Sequence, residues 1–477
     1  MDALFAPVQA KMAAAGLKPA AVAAFRGNFQ KLVEGDSGTL PESAIDPVPS
    51  LPRFDADVVG FREAHGVADA ELGDVLRATV VIKLNGGLGT SMGLERAKSL
   101  LEVKSGETFL TLIAKQVKRK REQHPEHPVK FMLMNSFSTS EDSMRALRES
   151  GHADLADEPD VELMQNSSPK LCADNNQPVS WPKDPELEWC PPGHGDLYAA
   201  LLGSGTLERL VGAGFRYAFV SNSDNLGATL DDDLLAYFAR SRKQFLMEVA
   251  ERTEADKKGG HLAFHKGTTR MVLRESAMCP KQDADAFQDV RKHAFFNTNN
   301  IWLDLRAVLE VMRRNGGCMP LPLIKNKKTV DPRDASSTPV HQLETAMGAA
   351  IESFEDAGAI VVPRARFAPV KTTSDLFALR SDAYVITRDW FVALADGARA
   401  PPLVQLDDAH YKLVDQMDAL APSVPSLVGC ERLVVVGPVR FAAGADVVVR
   451  GVARIVNESG AAKECAAGEV RGELRLA

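Results

Sequence analysis

Apolar residues recur at helical spacing near the start of the chain: Leu4, Val8 and Met12, then Val22, Phe25, Phe29 and Leu32. Gly16 and Pro19 separate the two runs, and three prolines between positions 46 and 54 mark a connection. The pattern predicts a helical segment, residues 1–75, packed on a larger body. At Ala78 the texture changes. Residues 78–84, ATVVIKL, form a short β-branched apolar run that ends in Asn85-Gly86-Gly87. That is a buried strand entering a glycine loop. Similar runs lie at 129–134, 217–221 and 245–249, with helical stretches at 108–123 and 196–210 between them. Strands alternating with helices predict an α/β domain, residues 76–390, on a mixed, mostly parallel sheet. Ligands of such sheets bind beyond the carboxyl ends of the strands, so the following loops are expected to hold the chemistry.

Residues 389–417 read as helix-rich, with Pro401-Pro402 inside the stretch. From Cys430 onward, very short valine-rich runs separated by glycines predict a small all-β unit, a few turns of a β-solenoid. Together these form a third unit, residues 391–477.

Composition narrows the class. Of 477 residues, 45% are apolar and 25% charged, values of an ordinary globular chain with material for a real core. The net charge of −8 opposes general nucleic-acid binding, which needs a basic surface to displace phosphate counterions. No apolar stretch is long enough to span a membrane, and the N-terminus lacks the basic-then-apolar pattern of a signal peptide. Six cysteines are scattered without a CxxC pair, which fits a reducing compartment and argues against both a disulfide framework and a zinc site. A cytoplasmic location is expected.

Candidate chemistry collects in a few segments. Residues 84–93, LNGGLGTSMG, place four glycines after the first strand, with Lys98 close behind. Glycines let backbone N–H groups approach phosphate oxygens, and Lys98 adds a full positive charge. A Walker A loop would need Gly-Lys-Ser/Thr where Gly93-Leu94 stands, and the G-x-G-x-x-G dinucleotide spacing is broken. An ordinary strand-to-helix turn would carry the same glycines. PPGHGD at 191–196 sets His194 between two glycines, with Asp196 placed to cap the next helix. VSNSDNLG at 220–227 ends an apolar strand in Asp224, a carboxylate suited to Mg²⁺, which needs only one or two protein oxygens beside phosphate oxygens. Glu248, Gly259-Gly260 and FNTNN at 296–300 offer partners for sugar hydroxyls, although amide-rich runs are usually turns. Lys371, beside Thr372 and Thr373, is a second candidate for phosphate.

These segments, taken in order, resemble the UDP-glucose pyrophosphorylase family of the eukaryotic type. The resemblance rests on LNGGLGTSMG at 84–93, LMNSFSTS at 133–140, PPGHGD at 191–196, VSNSDNLGAT at 220–229, FNTNNIW at 296–302 and PVKTTSDL at 369–376. It covers roughly residues 78–389. It implies a nucleotidyltransferase domain of GT-A/Rossmann-like type, a helical N-terminal segment and a small C-terminal left-handed β-helix. It also implies Mg²⁺-assisted transfer of a uridylyl group from UTP to glucose 1-phosphate. By position, Leu84, Asn85, Gly86, Gly87, Gln165 and Gly193 are expected to hold uridine, and Lys98 the UTP phosphates. His194 and Asn222 are expected near the sugar phosphate. Asp224 would serve as the Mg²⁺ ligand, Glu248, Gly260 and Asn299 would face glucose, and Lys371 would bridge the phosphate groups. The chain departs from the family where Leu94-Glu95-Arg96-Ala97 precedes Lys98 and where Arg252 replaces a lysine. Partners are then small molecules, with no nucleic acid or membrane, and a homo-oligomer is allowed. Three other readings stay open: a UDP-N-acetylhexosamine pyrophosphorylase, an NAD(P)-dependent dehydrogenase, and a non-catalytic nucleotide-sugar sensor.

Overall fold

The computed structural model describes every residue except Ser37, Ala445, Ala467 and Ala477. Its centre is a mixed sheet running Glu162–Met164, Lys130–Asn135, Thr79–Asn85, Tyr217–Asn222, Phe295–Asp304, Phe245–Glu251 and Ala357–Val361. The first four strands are mutually parallel, as are the last two, and Phe295–Asp304 runs antiparallel to both its neighbours. The four strands read from the sequence all form, each within two residues of the expected limits.

They are apolar because both faces are covered. Val80 and Ile82 pack on one side with Leu197, Leu201 and Val308. Val81 packs on the other with Leu72, Leu76, Leu234 and Phe238. The helix Phe109–Gln123 begins at a Thr108 cap, whose hydroxyl accepts from the Thr111 N–H, and it lies against Phe131 and Leu133.

Two stretches differ from expectation. Phe295–Asp304, whose FNTNN run suggested a turn, is a strand at the heart of the sheet. Its amides are accommodated there through side-chain partners, Asn300 on the buried Glu248 at 3.1 Å and Asn297 on Asn299 at 2.9 Å. Residues 389–417 are less helical than expected. A hairpin, Tyr384–Ile386 with Val392–Leu394, and a strand, Leu403–Gln405, precede the short helices Asp408–Tyr411 and Val414–Leu420. The prolines at 401 and 402 cannot continue a helix and fall just before that strand. The boundary expected at residue 390 lies at the tip of this hairpin.

The C-terminal strands Leu403–Gln405, Cys430–Val436, Val447–Val456 and Gly468–Arg475 stack in parallel as short solenoid turns, with Leu433, Ala453 and Gly472 in register. Leu433, Val435 and Ile455 share one apolar cluster with Phe109 and Phe377, so this unit is seated on the central domain. The N-terminal helices Asp2–Ala14 and Pro19–Val33 pack Phe5, Phe25 and Phe29 against Leu171, Leu323 and Leu343. Ile45–Pro47 adds a strand that pairs with His261–His265 at the sheet edge.

Candidate active site

The carboxyl ends of the parallel strands Thr79–Asn85, Lys130–Asn135 and Tyr217–Asn222 open on one cleft. Leu84, Gly86, Gly87, Lys98, Gln165, Gly193, His194, Asn222 and Asp224 line it, together with Met134, Pro191 and Ser223. The glycine loop folds back on itself: the Lys98 N–H donates to Gly87 O at 3.0 Å. This return brings the Lys98 ammonium to Asp224, Nζ to Oδ2 at 2.7 Å. The other oxygen, Asp224 Oδ1, is buried without a hydrogen-bond partner among the described residues. A buried carboxylate oxygen left open is unfavourable unless something positive completes it.

The opposite wall is set by residues 191–196. Gly193 sits at φ +80°, and a Cβ there would lie 2.5 Å from Thr345 O, so only glycine fits. Gln165 Nε2 donates to Gly193 O at 3.0 Å, tying the wall to the strand Glu162–Met164. His194 Nδ1 accepts from the Met347 N–H at 3.0 Å. Burial pushes its pKa down to about 4, so at neutral pH the ring is uncharged and carries its proton on Nε2. Asp196 stands at the N-cap of the following helix, as expected, but its side chain makes no capping bond. Its carboxylate instead accepts from the Asn166 backbone N–H at 2.7 Å and from Asn166 Nδ2. Burial raises its pKa to about 7, and the Asn166 bonds oppose that rise.

Asn85 is the exception among the loop residues. Its side chain is buried behind the cleft, donating to Asn135 Oδ1 at 2.7 Å and to Ser143 Oγ at 2.8 Å. It braces neighbouring strands and leaves only its backbone near the loop.

A second cluster lies beside the first. The hairpin His261–His265 with Met271–Arg274 pairs His261 with Arg274, which sets Gly260 opposite Glu275. A Cβ at Gly260 would meet Glu275 Oε2 at 2.5 Å, so the glycine admits the carboxylate. Burial raises the Glu275 pKa, opposed by the Asn297 bond and by the charge of Lys371. Asn297 Nδ2 also donates to Asn299 Oδ1 at 2.9 Å, and Asn299 takes a left-handed turn at φ +58°. Lys371 is exposed, its Nζ 5.9 Å from the ring centres of both Phe296 and Phe367. The Val370 N–H donates to Asp224 O at 3.3 Å, and Asn225 bridges to Pro369, so the Lys371 loop is stitched to the Asp224 loop.

Glu248 is a correction. It does not face a cleft, and its side chain is fully buried. Its carboxylate accepts from Arg366 Nε at 2.9 Å and from a second Arg366 nitrogen at 2.7 Å. It also accepts from Trp302 Nε1 at 2.9 Å and from Asn300 Nδ2 at 3.1 Å. No lone pair is left for a sugar hydroxyl. The carboxylate beside Gly260 and Asn299 is Glu275, which the reading of the sequence did not single out.

A cleft beyond the parallel strands, lined by a glycine loop and a lysine–carboxylate pair, is the arrangement a nucleotide-binding enzyme of this α/β class needs for phosphate groups. The model of the UTP–glucose-1-phosphate uridylyltransferase family matches residues 22–450, and the chain belongs to that family. It is 38% identical over 386 residues to the UTP–glucose-1-phosphate uridylyltransferase of Saccharomyces cerevisiae, covering 81% of this chain and 75% of that one. Against the Solanum tuberosum protein of the same name it is 36% identical over 405 residues, covering 84% and 81%. A mutant of Leishmania major UDP-glucose pyrophosphorylase, in complex with UDP-glucose, superposes with a TM-score of 0.91 at 47% identity over 99% of this chain and 98% of that one. The Trypanosoma brucei UDP-glucose phosphorylase gives 0.90 at 46% identity, covering all of both chains.

Proposed function

We propose that the chain joins UTP to glucose 1-phosphate, forming UDP-glucose and releasing pyrophosphate, through the cleft around Asp224. The observation that carries the mechanism is the divided Asp224 carboxylate: one oxygen on Lys98, the other buried and open. A sugar-phosphate oxygen attacks the α-phosphorus of UTP in line. The new oxygen–phosphorus bond forms as the bond to the β-phosphate oxygen breaks, and the pair leaving with pyrophosphate needs no protein acid. The phosphate nucleophile carries about −1.5 to −2 charge at neutral pH, so no general base is required either. Positioning and charge neutralisation supply the catalysis.

Asp224 fits Mg²⁺ because its open oxygen is one hard ligand, and the ion commonly completes its shell with phosphate oxygens and water. Bound there, Mg²⁺ supplies charge neutralisation to the two phosphate groups. The chain's own groups do the remainder. Leu84, Gly86, Gly87, Gln165 and Gly193 form the walls for the nucleotide. Neutral His194 offers an Nε2–H to a phosphate or sugar oxygen. Lys98 and Lys371 oppose the charge of the polyphosphate from two sides, and Gly260, Glu275, Asn297 and Asn299 face the sugar.

The partners on this reading are small molecules. Among the described residues no helix is long and apolar enough to cross a membrane. The six cysteines are unpaired, which supports a cytoplasmic site of action. The test is UDP-glucose formation from UTP and glucose 1-phosphate, followed by chromatography with Mg²⁺ and with excess chelator. Formation only with Mg²⁺ is expected, and undiminished formation under chelation would overturn the metal assignment.

A further inference from the structure

Lys83 has no part in the site described so far. It lies in the middle of the strand Thr79–Asn85, flanked on both sides by other strands, and is 3% exposed. A lysine there is unfavourable, because burial strips water from its ammonium. Its pKa is held down to about 7 by that burial and by the nearby Arg366 charge, while Glu248 opposes the fall. Packing alone does not call for it, since methionine has similar length and no charge.

What the side chain does is visible in its two bonds. Lys83 Nζ donates to Ser221 Oγ at 2.7 Å, in the adjacent strand, and to Ala228 O at 2.6 Å. Ala228 closes the loop that carries Asp224. The near end of that loop is fixed by the next residue of the same strand, because the Ser223 N–H donates to Leu84 O at 3.0 Å. Two consecutive residues, Lys83 and Leu84, therefore clamp both ends of the loop with Asp224 between them. Arg366 reinforces the far end by donating to Thr229 O at 3.0 Å. Above the loop Lys98 meets the carboxylate, and below it Lys83 holds the backbone that aims the carboxylate.

We propose that Lys83 is a positioning residue for the reaction, fixing the loop 223–228 so that Asp224 presents its open oxygen to the phosphate groups. The inference rests on the reading of Asp224 as the group that organises them. A misplacement of the carboxylate by about 1 Å is enough to lower turnover by about a hundredfold.

The test compares Lys83→Met, Lys83→Gln and Asp224→Asn in the full chain, with the Lys83→Met/Asp224→Asn double variant. Turnover, both substrate KM values, the Mg²⁺ concentration for half-maximal rate and the melting temperature are measured. Lys83→Met is expected to lower kcat by about tenfold or more. It should also raise the Mg²⁺ requirement, with both KM values nearly unchanged. Lys83→Gln keeps an N–H donor and is expected to recover part of the lost rate, and it serves in place of the methionine variant should that one fail to fold. Coupling is expected in the double variant, so that Lys83→Met costs little once Asp224 is already asparagine. Wild-type turnover in both Lys83 variants, or a loss that adds in full to that of Asp224→Asn, overturns the proposal. Wild-type turnover and Mg²⁺ response in Asp224→Asn itself overturns the reading beneath it, and the single-variant data tell the two failures apart.

Discussion

Lys98 Nζ and Asp224 Oδ2 stand 2.7 Å apart, although 126 residues separate them in the chain. The contact joins the return of the glycine loop to the end of a parallel neighbouring strand. It leaves the second carboxylate oxygen buried and unpaired, and on the proposed function that oxygen takes a cation while the lysine faces the polyphosphate. Replacing Asp224 by asparagine keeps the shape and removes the charge. Turnover is expected to fall about 10²–10³-fold, the scale of losing one fixed electrostatic group, with a flattened response to added Mg²⁺. Steady-state rates across a Mg²⁺ series check this.

Lys371 enters from the other side on a loop stitched to Asp224 through Val370. It is exposed, so its removal costs little stability. Lys371→Ala is expected to lower kcat about a hundredfold with the melting temperature unchanged. Near-normal turnover in that variant removes Lys371 from the mechanism.

Glu275 and Glu248 are expected to behave oppositely. Glu275 lies beside Gly260 and Asn297 in the cluster proposed to face the sugar, so Glu275→Gln is expected to raise KM for glucose 1-phosphate while leaving KM for UTP nearly unchanged. Initial rates with each substrate varied in turn separate the two constants.

Glu248 is sealed against Arg366, and Glu248→Ala leaves that cation buried without its partner. The expected result is a loss of about 3–5 kcal/mol in stability, read by denaturant unfolding, instead of a change confined to sugar affinity.

His194 makes one contribution to the pH dependence of stability, opposed in the same range by Asp196, whose raised pKa favours the fold as pH falls. The folded pKa of His194 lies near 4, below its usual value of 6.5, so at this ring the unfolded chain takes up a proton first on acidification. The stability this neutral ring confers is complete above about pH 6.5 and is lost as pH falls toward 4. His194→Gln is expected to remove that contribution from the unfolding profile. An unchanged slope between those two values would contradict the neutral ring.

The sequence announces the nucleotide half of the site because its signals are local. An apolar strand followed by Asn85-Gly86-Gly87, or one ending at Asp224, carries its position on the sheet edge within a few residues. The sugar half is less legible because its geometry comes from pairing. Glu275 becomes a candidate site residue only through a hairpin that sets it against Gly260, fifteen positions earlier. The signal was present: apolar runs at 262–264 and 271–273 flank Lys266-Gly267-Thr268-Thr269, a hairpin turn in composition, and counting outward from it pairs 260 with 275. Glu248 misled because it stands on a strand near the expected edge, and only the fold brings Arg366 and Trp302 to consume its oxygens. The strand Phe295–Asp304 was hidden for the same reason, since its amides read as a turn until their side-chain partners are known.

The most direct test of the account is pyrophosphate release by the purified chain with Mg²⁺ and UTP. Glucose 1-phosphate, galactose 1-phosphate and N-acetylglucosamine 1-phosphate are supplied in parallel. Release chiefly with glucose 1-phosphate, abolished by Asp224→Asn, is the predicted result. Release chiefly with another sugar phosphate would contradict the assigned substrate, and no release with any of the three would contradict catalysis by this cleft.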